Sequence, residues 1–172
     1  MPALALCSIA NTELPIPGAD PWQAQPEDPA LTVMTDFRER SSITVPDYHP
    51  IDTALEHMKH TGVRCAFAVD ADNQVVIGMV TAYDIGGEKP LRLMRSMDVK
   101  RSEILVRDLM QPIKEWRVLH IQDLERATVA AVDRLFGESG LTHIPVMEQS
   151  PRGEARLRGL FSSAKIKRLL AP

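Results

Sequence analysis

Two segments of the chain carry apolar residues at intervals of three and four, the spacing of an amphipathic helix. The first is IDTALEHMKHTG (51–62), and the second is ERATVAAVDRLFGESG (125–140). Such spacing gathers the apolar side chains on one helix face. Each segment also ends at glycine, the residue preferred just beyond a helix C-terminus. We therefore predict two helices that end at Gly62 and Gly140 and bury one face.

Apolar runs of strand length surround each predicted helix, one before it and two after it. Around the first helix these runs are SSITVP (41–46), CAFAVD (65–70) and VVIGMVT (75–81). Around the second they are WRVLHI (116–121), HIPVME (143–148) and RLRGLFS (156–162). Each third run leads into another predicted helix, the last being SAKIKRLL (163–170). Both units therefore follow the order strand, helix, strand, strand, helix.

The two units are copies of one sequence pattern. Met34 corresponds to Met110 at an offset of 76 residues, and Ala54 corresponds to Val132 at an offset of 78. The offset rises to 81 after the second strand, where the second copy has a longer hairpin. Offsets that change only at loops indicate a structural duplication. Because a unit of about 60 residues has a thin core of its own, we expect the two to pack sheet against sheet in an α+β fold with pseudo-two-fold symmetry.

The chain divides by sequence into a Pro-rich arm (1–30), a first repeat (31–98) and a second repeat (99–172). Six of the thirteen prolines lie in the arm, and this density disfavours both helix and central strand. We expect an irregular segment that either docks on the domain through Trp22 or extends into solvent.

Composition and charge narrow the class of protein. The 172 residues are 44% hydrophobic and 25% charged, with a formal net charge of -3. This mild acidity argues against a nucleic-acid partner, and no apolar run approaches the roughly 18 residues that a membrane span needs. The N-terminus around Cys7 lacks the basic start of a secretion signal. Two cysteines, Cys7 and Cys65, build no disulfide framework, so a cytoplasmic location is expected.

A Gly–apolar–apolar–hydroxyl–x–x–charge pattern occurs once in each repeat, as GMVTAYDI (78–85) and GLFSSAKI (159–166). Thr81 and Asp84 match a capping box, which would satisfy the free N–H groups of a first helical turn. The same geometry also suits a nucleotide. Helix N-termini attract phosphate, and an ionised carboxylate can accept hydrogen bonds from both ribose hydroxyls. Both interpretations remain open from the residues alone.

The segments VIGMVTAYDI (76–85) and THIPVME (142–148), in two ordered copies, resemble a tandem pair of cystathionine β-synthase (CBS) domains, or Bateman module. The resemblance covers residues 31–172. It implies a regulatory module that binds an adenosine-containing ligand (AMP, ADP, ATP or S-adenosylmethionine) between the repeats. It also implies a homodimer, and signalling to a separate enzyme or transporter, since the chain has no room for a catalytic domain beside the repeats.

The resemblance also implies where the ligand would bind. Thr81 would contact phosphate and Asp84 would contact ribose, while Arg64 and His143 would serve the phosphates. The residues expected beside the adenine lie on two strands, and they are Thr44, Val45, Pro46, Cys65, Ala66 and Phe67.

The second repeat carries Ser162 and Lys165 at the positions of Thr81 and Asp84. An ammonium group has only donors, so Lys165 cannot accept hydrogen bonds from ribose hydroxyls. Either this second site is degenerate and the module binds one nucleotide, or Lys165 holds a phosphate or carboxylate.

Enzyme activity is not expected. SSAK (162–165) matches an acylation motif, but its partner motifs are missing. His57 and His60 with Cys65 do not complete a four-ligand zinc set, so no metal site is predicted. The rival hypothesis is a ligand-free structural module that only dimerises or acts as a scaffold.

Overall fold

The computed structural model describes residues 21–72 and 75–171, where two four-stranded sheets are packed with helices. The helices are α1 (Ile51–Thr61), α2 (Ala82–Gly86), α3 (Lys89–Met97), α4 (Val106–Leu109), α5 (Val129–Ser139) and α6 (Ser163–Leu170). The strands are β1 (Thr35–Asp36), β2 (Thr44–Pro46), β3 (Cys65–Val69), β4 (Val76–Thr81), β5 (Gln111–Pro112), β6 (Leu119–His120), β7 (His143–Gln149) and β8 (Ala155–Ser162).

The two helices predicted from apolar spacing are confirmed as α1 and α5. Each is followed by a left-handed glycine, Gly62 at φ 72° and Gly140 at φ 67°. This conformation suits glycine because it has no Cβ, and it turns the chain into the next strand. Strands β2 and β6 are shorter than the runs that predicted them, and both lie at sheet edges.

The two sheets are built alike. In one, β2 runs parallel to β3, which is antiparallel to β4, and β4 is antiparallel to β5. In the other, β6 runs parallel to β7, which is antiparallel to β8, and β8 is antiparallel to β1. This matching order confirms an α+β fold made of two related repeats.

Each sheet includes one short strand that belongs, by sequence, to the other repeat. Strand β1 of the first repeat joins the sheet of β6, β7 and β8, and β5 of the second repeat joins the sheet of β2, β3 and β4. Thr35 of β1 pairs with Leu160 of β8, and Pro112 of β5 pairs with Gly78 of β4. The cores exchange residues in the same way: Val33 is buried in the second-repeat core, and Ile104 in the first-repeat core. The ranges 31–98 and 99–172 therefore describe the repeat in sequence, while packing crosses that boundary.

Gly78 and Gly159 sit where the exchanged strands cross close to β4 and β8. A Cβ on Gly159 would lie 2.7 Å from the carbonyl oxygen of Thr35, and one on Gly78 would lie 2.8 Å from that of Gln111. Glycine in a strand often marks such a close approach of another backbone. The glycine that opens the repeated pattern is thus explained by strand exchange.

We expect Gly159→Ala to lower the free energy of unfolding by about 2 kcal/mol, because the added methyl group forces β1 away from β8. Urea denaturation measures this change. Gly137→Ala is the matched control, since Gly137 lies inside α5 with nothing within 4 Å of the added Cβ. There alanine should be neutral or stabilising by up to about 1 kcal/mol. Equal effects of the two substitutions would contradict the close approach.

The two sheets pack face to face through a shared apolar layer. Cys65, Phe67 and Met79 of the first sheet form a buried cluster, against which Leu157 and Leu160 of the second sheet pack. The Phe67 ring also meets Phe37 and Trp116, with centroid separations of 5.6 and 5.8 Å. This layer confirms the predicted packing of sheet against sheet.

The described end of the Pro-rich arm, residues 21–30, docks on the second repeat. The N–H of Ala24 donates to the carbonyl oxygen of Leu169 at 2.9 Å, and that of Ala30 donates to Ala127 at 2.8 Å. Docking through Trp22 is wrong, because this side chain is 86% exposed and Ala24 and Ala30 are buried instead. Residues 1–20, including Cys7, lie outside the described residues, as do residues 73–74 and 172.

Candidate functional site

Two clefts lie between the repeats, each formed by equivalent turns. In one, the β4-to-α2 turn (81–84) faces the α5-to-β7 turn (140–143). In the other, the β8-to-α6 turn (162–165) faces the α1-to-β3 turn (61–64). We name them the Asp84 cleft, about 390 Å³, and the Lys165 cleft, about 610 Å³.

Thr81 and Asp84 form a local hydrogen-bonded pair at the start of α2. The buried Thr81 hydroxyl accepts from the N–H of Asp84 at 3.1 Å and donates to Asp84 Oδ2 at 2.7 Å. Thr81 therefore caps α2 as predicted, but Asp84 accepts from the Thr81 hydroxyl, whereas in a capping box it would accept from the Thr81 backbone N–H. The hydroxyl has a single proton, so contact with a phosphate oxygen would require it to turn away from Asp84.

Asp84 lines the cleft with acceptor capacity to spare. Its Oδ1 lies 2.6 Å from Lys89 Nζ, and its side chain is 23% exposed. A carboxylate offers about four lone-pair sites, and Thr81 and Lys89 occupy two of them. Asp84 could therefore also accept from two vicinal hydroxyls.

His143 is buried and lines both clefts. Burial lowers its pKa from 6.5 to about 4; the negative charge of Asp84 opposes this shift, and the positive charge of Arg64 adds to it. Its Nδ1 lies 3.1 Å from the Thr142 hydroxyl. At neutral pH His143 is therefore uncharged, and it offers hydrogen-bonding groups but no positive charge to the clefts.

Several residues that the sequence assigned to the nucleotide line the Lys165 cleft instead. They are Arg64, Cys65 and Phe67. Ser162 and Lys165, which the sequence assigned to a second site, line this cleft as well. Burial raises the pKa of the Cys65 thiol to about 12, and nearby Asp84 adds to the rise. The thiol therefore stays protonated and packs as an apolar group.

Arg64 lines the Lys165 cleft and contacts a residue of the Asp84 cleft. Its Nη1 donates to the hydroxyl of Tyr83 at 2.8 Å, and Tyr83 lines the Asp84 cleft. The Tyr83 ring lies 6.3 Å from that of His143. One arginine thus borders the Lys165 cleft while holding a residue of the Asp84 cleft.

The remaining predicted residues, Thr44, Val45, Pro46 and Ala66, line neither cleft. Side chains alternate between the two faces of a strand, and this places Val45 and Ala66 in the core beneath the helices. Thr44 is exposed on the edge strand β2. The residues expected at the first ligand site are thus distributed over two clefts, a core and a sheet edge.

Some cleft residues were missed by the sequence analysis. Lys89 reaches Asp84 from the start of α3, after the Gly86–Gly87 break, and Tyr83 contacts both Arg64 and His143. Arg40 lines the Lys165 cleft from the loop after β1. Tyr83 lies inside the quoted pattern and could have been considered, but Lys89 and Arg40 stand outside any repeated signal.

Residues 21–72 and 75–171 were searched for a metal site and for a membrane-spanning helix. No group of three His, Cys, Asp or Glu side chains is placed there to hold a metal ion. Within the same part of the chain, no helix is both long and apolar enough to cross a membrane.

The architecture is that of a protein class with two strand–helix–strand–strand–helix repeats. The repeats pack through their sheets, and a cleft lies at each pair of facing turns. Residues 32–85 match the model of the CBS domain family. That segment is therefore similar to a CBS domain, and the described part of the chain has the fold of CBS-pair proteins.

Solved structures share this fold. CBSX2, a CBS-pair protein from Arabidopsis thaliana that has been solved in complex with AMP, superposes with a TM-score of 0.52 at 22% identity. That alignment covers 82% of this chain and 94% of CBSX2. The CBS-domain protein ATU1752 from Agrobacterium tumefaciens gives a TM-score of 0.57 at 17% identity, over 86% of this chain and 96% of ATU1752. A search of curated proteins by sequence found no match.

Proposed function

We propose that this chain is a regulatory module that binds an adenosine-containing ligand in the Asp84 cleft. The observation that carries the proposal is the Asp84 carboxylate, which lines the cleft and keeps acceptor sites for ribose. The AMP complex of CBSX2 supports the ligand class, since the two proteins share a fold. We assign ribose to Asp84 and the nearest phosphate to Thr81.

The rest of the Asp84 cleft is lined by apolar side chains that could pack against a purine ring. Met79, Met110 and Leu141 line it beside the polar turn. Adaptable methionine side chains can pack against a flat ring, and ligand sites usually combine apolar walls with a few polar groups. We therefore place the adenine among these three residues rather than against β2.

The charges around the Asp84 cleft favour a ligand with few phosphates. Lys89 supplies one positive charge, while Asp84 and Glu115 supply two negative charges and His143 is neutral near pH 7. Each added phosphate brings more negative charge toward these carboxylates. We propose AMP or S-adenosylmethionine ahead of ADP and ATP.

The proposed signal is a change in the angle between repeats or between protomers of a homodimer. A separate enzyme or transporter would respond to that change. The ligand can shift the equilibrium only by the difference between its affinities for the two states.

The second candidate function is a ligand-free structural module. The closed Thr81–Asp84 pair favours it, because the hydroxyl and carboxylate satisfy each other and the helix end with no ligand present. Isothermal titration with AMP, ADP, ATP and S-adenosylmethionine distinguishes the two functions. Binding of one adenosine ligand per chain supports the nucleotide module, and no heat from any of them on folded protein supports the scaffold.

We expect Asp84→Asn to weaken binding of the preferred adenosine ligand roughly 10- to 100-fold, because ribose hydroxyls lose a charged acceptor. Glu138→Gln is the matched control, since it also removes one carboxylate but lies on α5 outside both clefts. Titration calorimetry on both variants gives the ratio of dissociation constants. Unchanged affinity in folded Asp84→Asn protein would exclude Asp84 as the ribose contact.

A further inference from the structure

Strand β1 forms part of the wall of the Lys165 cleft. It has two residues and lies at the edge of its sheet. Thr35 and Phe37 line the cleft, and Phe37 also packs on the buried cluster that contains Cys65 and Phe67. The segment 35–38, which we name the strap, therefore covers part of the layer between the two sheets.

Two ion pairs fasten the strap to the second sheet. Asp36 Oδ2 lies 2.6 Å from Arg158 Nη2 of β8, and Arg38 Nη2 lies 2.7 Å from Glu148 Oε2 of β7. The side chains of Asp36, Arg158 and Glu148 are 19%, 14% and 13% exposed, so dissolved salt screens their charges little. We name these four residues the Arg158 clamp.

Arg158 occupies an irregular position in its strand. The pairing of β7 with β8 shifts by one residue after Val146, and Arg158 is the extra residue of the resulting β-bulge. Its Nε is buried 3.6 Å from Glu148 Oε2 and makes no hydrogen bond among the described residues. A buried charge that loses its partner is strongly destabilised. The attachment of the strap therefore depends on the carboxylates beside Arg158.

The equivalent strand of the first sheet is fastened without charges. At offsets of 76 and 81 residues, Pro112 of β5 corresponds to Asp36, and Ile77 of β4 corresponds to Arg158. The Trp116 indole contacts β5 instead, where its Nε1 donates to a main-chain carbonyl oxygen at 3.1 Å. The two exchanged strands thus differ in how they are attached, and an ionic attachment is specific to β1.

We propose that the strap opens as a unit when the Arg158 clamp is released, and that this opening exposes the layer between the sheets without unfolding either repeat. Among the described residues, the strap contributes Phe37 to that layer and nothing to the two cores beneath the helices. Local openings of this kind involve segments with few buried contacts. Because the strap belongs to the first repeat by sequence but lies on the second sheet, its release also loosens a connection between the repeats.

Alkylation of Cys65 by N-ethylmaleimide measures strap opening, because Phe37 packs on the cluster that contains this thiol. Cys7→Ser leaves Cys65 as the single cysteine of the full chain. Burial raises the pKa of the Cys65 thiol to about 12, so the closed state should react slowly near neutral pH. Below the unfolding transition, we expect the alkylation rate to rise with urea much less steeply than the unfolded population does, because a local opening exposes little surface.

Asp36→Asn should raise the alkylation rate by about tenfold, because Arg158 loses a charged partner while asparagine keeps an acceptor for the N–H of Arg38. Glu56→Gln is the matched control, since it removes a carboxylate from an exposed ion pair with Lys59 on α1. It should change the rate less than about twofold. Urea denaturation of each variant corrects the rates for any change in global stability.

Two outcomes would overturn the proposal. One is an alkylation rate that rises with urea as steeply as global unfolding, and the other is an equal rate in Asp36→Asn and Glu56→Gln. The urea dependence of the Cys7→Ser protein requires no change in the clamp, so it decides the question even if Asp36→Asn does not fold. Opening needs no bound ligand, so the result is independent of nucleotide binding in the Asp84 cleft.

Discussion

Phe67→Ala should lower the free energy of unfolding by about 3–5 kcal/mol, the largest stability loss we expect from a single substitution here. Phe67 is 2% exposed and lies at the centre of the layer between the sheets. Its ring contacts Phe37, which follows β1, and Trp116, which precedes β6. Truncation leaves a cavity where the two repeats meet, so both repeats should lose stability together.

Urea denaturation, followed by circular dichroism, measures this loss. Tyr48→Ala is a suitable control, because Tyr48 is another aromatic residue of the first repeat but is 50% exposed. Its substitution should cost less than about 0.5 kcal/mol, as at most surface positions. A loss below about 1 kcal/mol in Phe67→Ala would show that the layer between sheets contributes little to folding.

Acidification should destabilise the protein through His143, by about 3 kcal/mol between pH 7 and pH 4. The pKa of His143 is about 4 in the folded state, against 6.5 for an ordinary histidine. Between these values the unfolded chain binds a proton that the folded chain does not. The stabilising contribution is therefore complete above pH 6.5 and is lost as the pH falls toward 4.

Comparison with His143→Gln isolates this effect from the titration of carboxylates. The stability difference between wild type and His143→Gln should shrink by about 3 kcal/mol over this pH range, because glutamine does not titrate. A constant difference between wild type and His143→Gln would show that His143 does not stay neutral in the folded protein.

The reversal of charge between the two copies of the pattern now has a structural context. Asp84 sits with Lys89 in a cleft of mixed charge, whereas Lys165 sits with three arginines in a cleft whose described lining has no carboxylate. The two equivalent turns thus present opposite charges at the same position.

The placement of predicted residues shows where sequence reasoning succeeds. Thr81 and Asp84 are three residues apart at a helix start, and local geometry alone brings them together as predicted. Cys65 and Phe67 alternate with Ala66 along β3, but alternation does not say which face looks toward a ligand. Lys89 and Arg40 have no local signal, since each reaches its cleft through the path of the main chain.

The sequence by itself determined the duplication, the helices α1 and α5 with their glycine ends, the order of the main elements and the capping pair. These features depend on residues close together in the chain, where periodicity and backbone preference act directly. Only the tertiary structure decided the exchange of β1 and β5 between the sheets and the division of the residues predicted for the first site between two clefts. The exchange depends on pairings such as Thr35 with Leu160, which are distant in sequence and form only when the chain folds back to assemble the sheets.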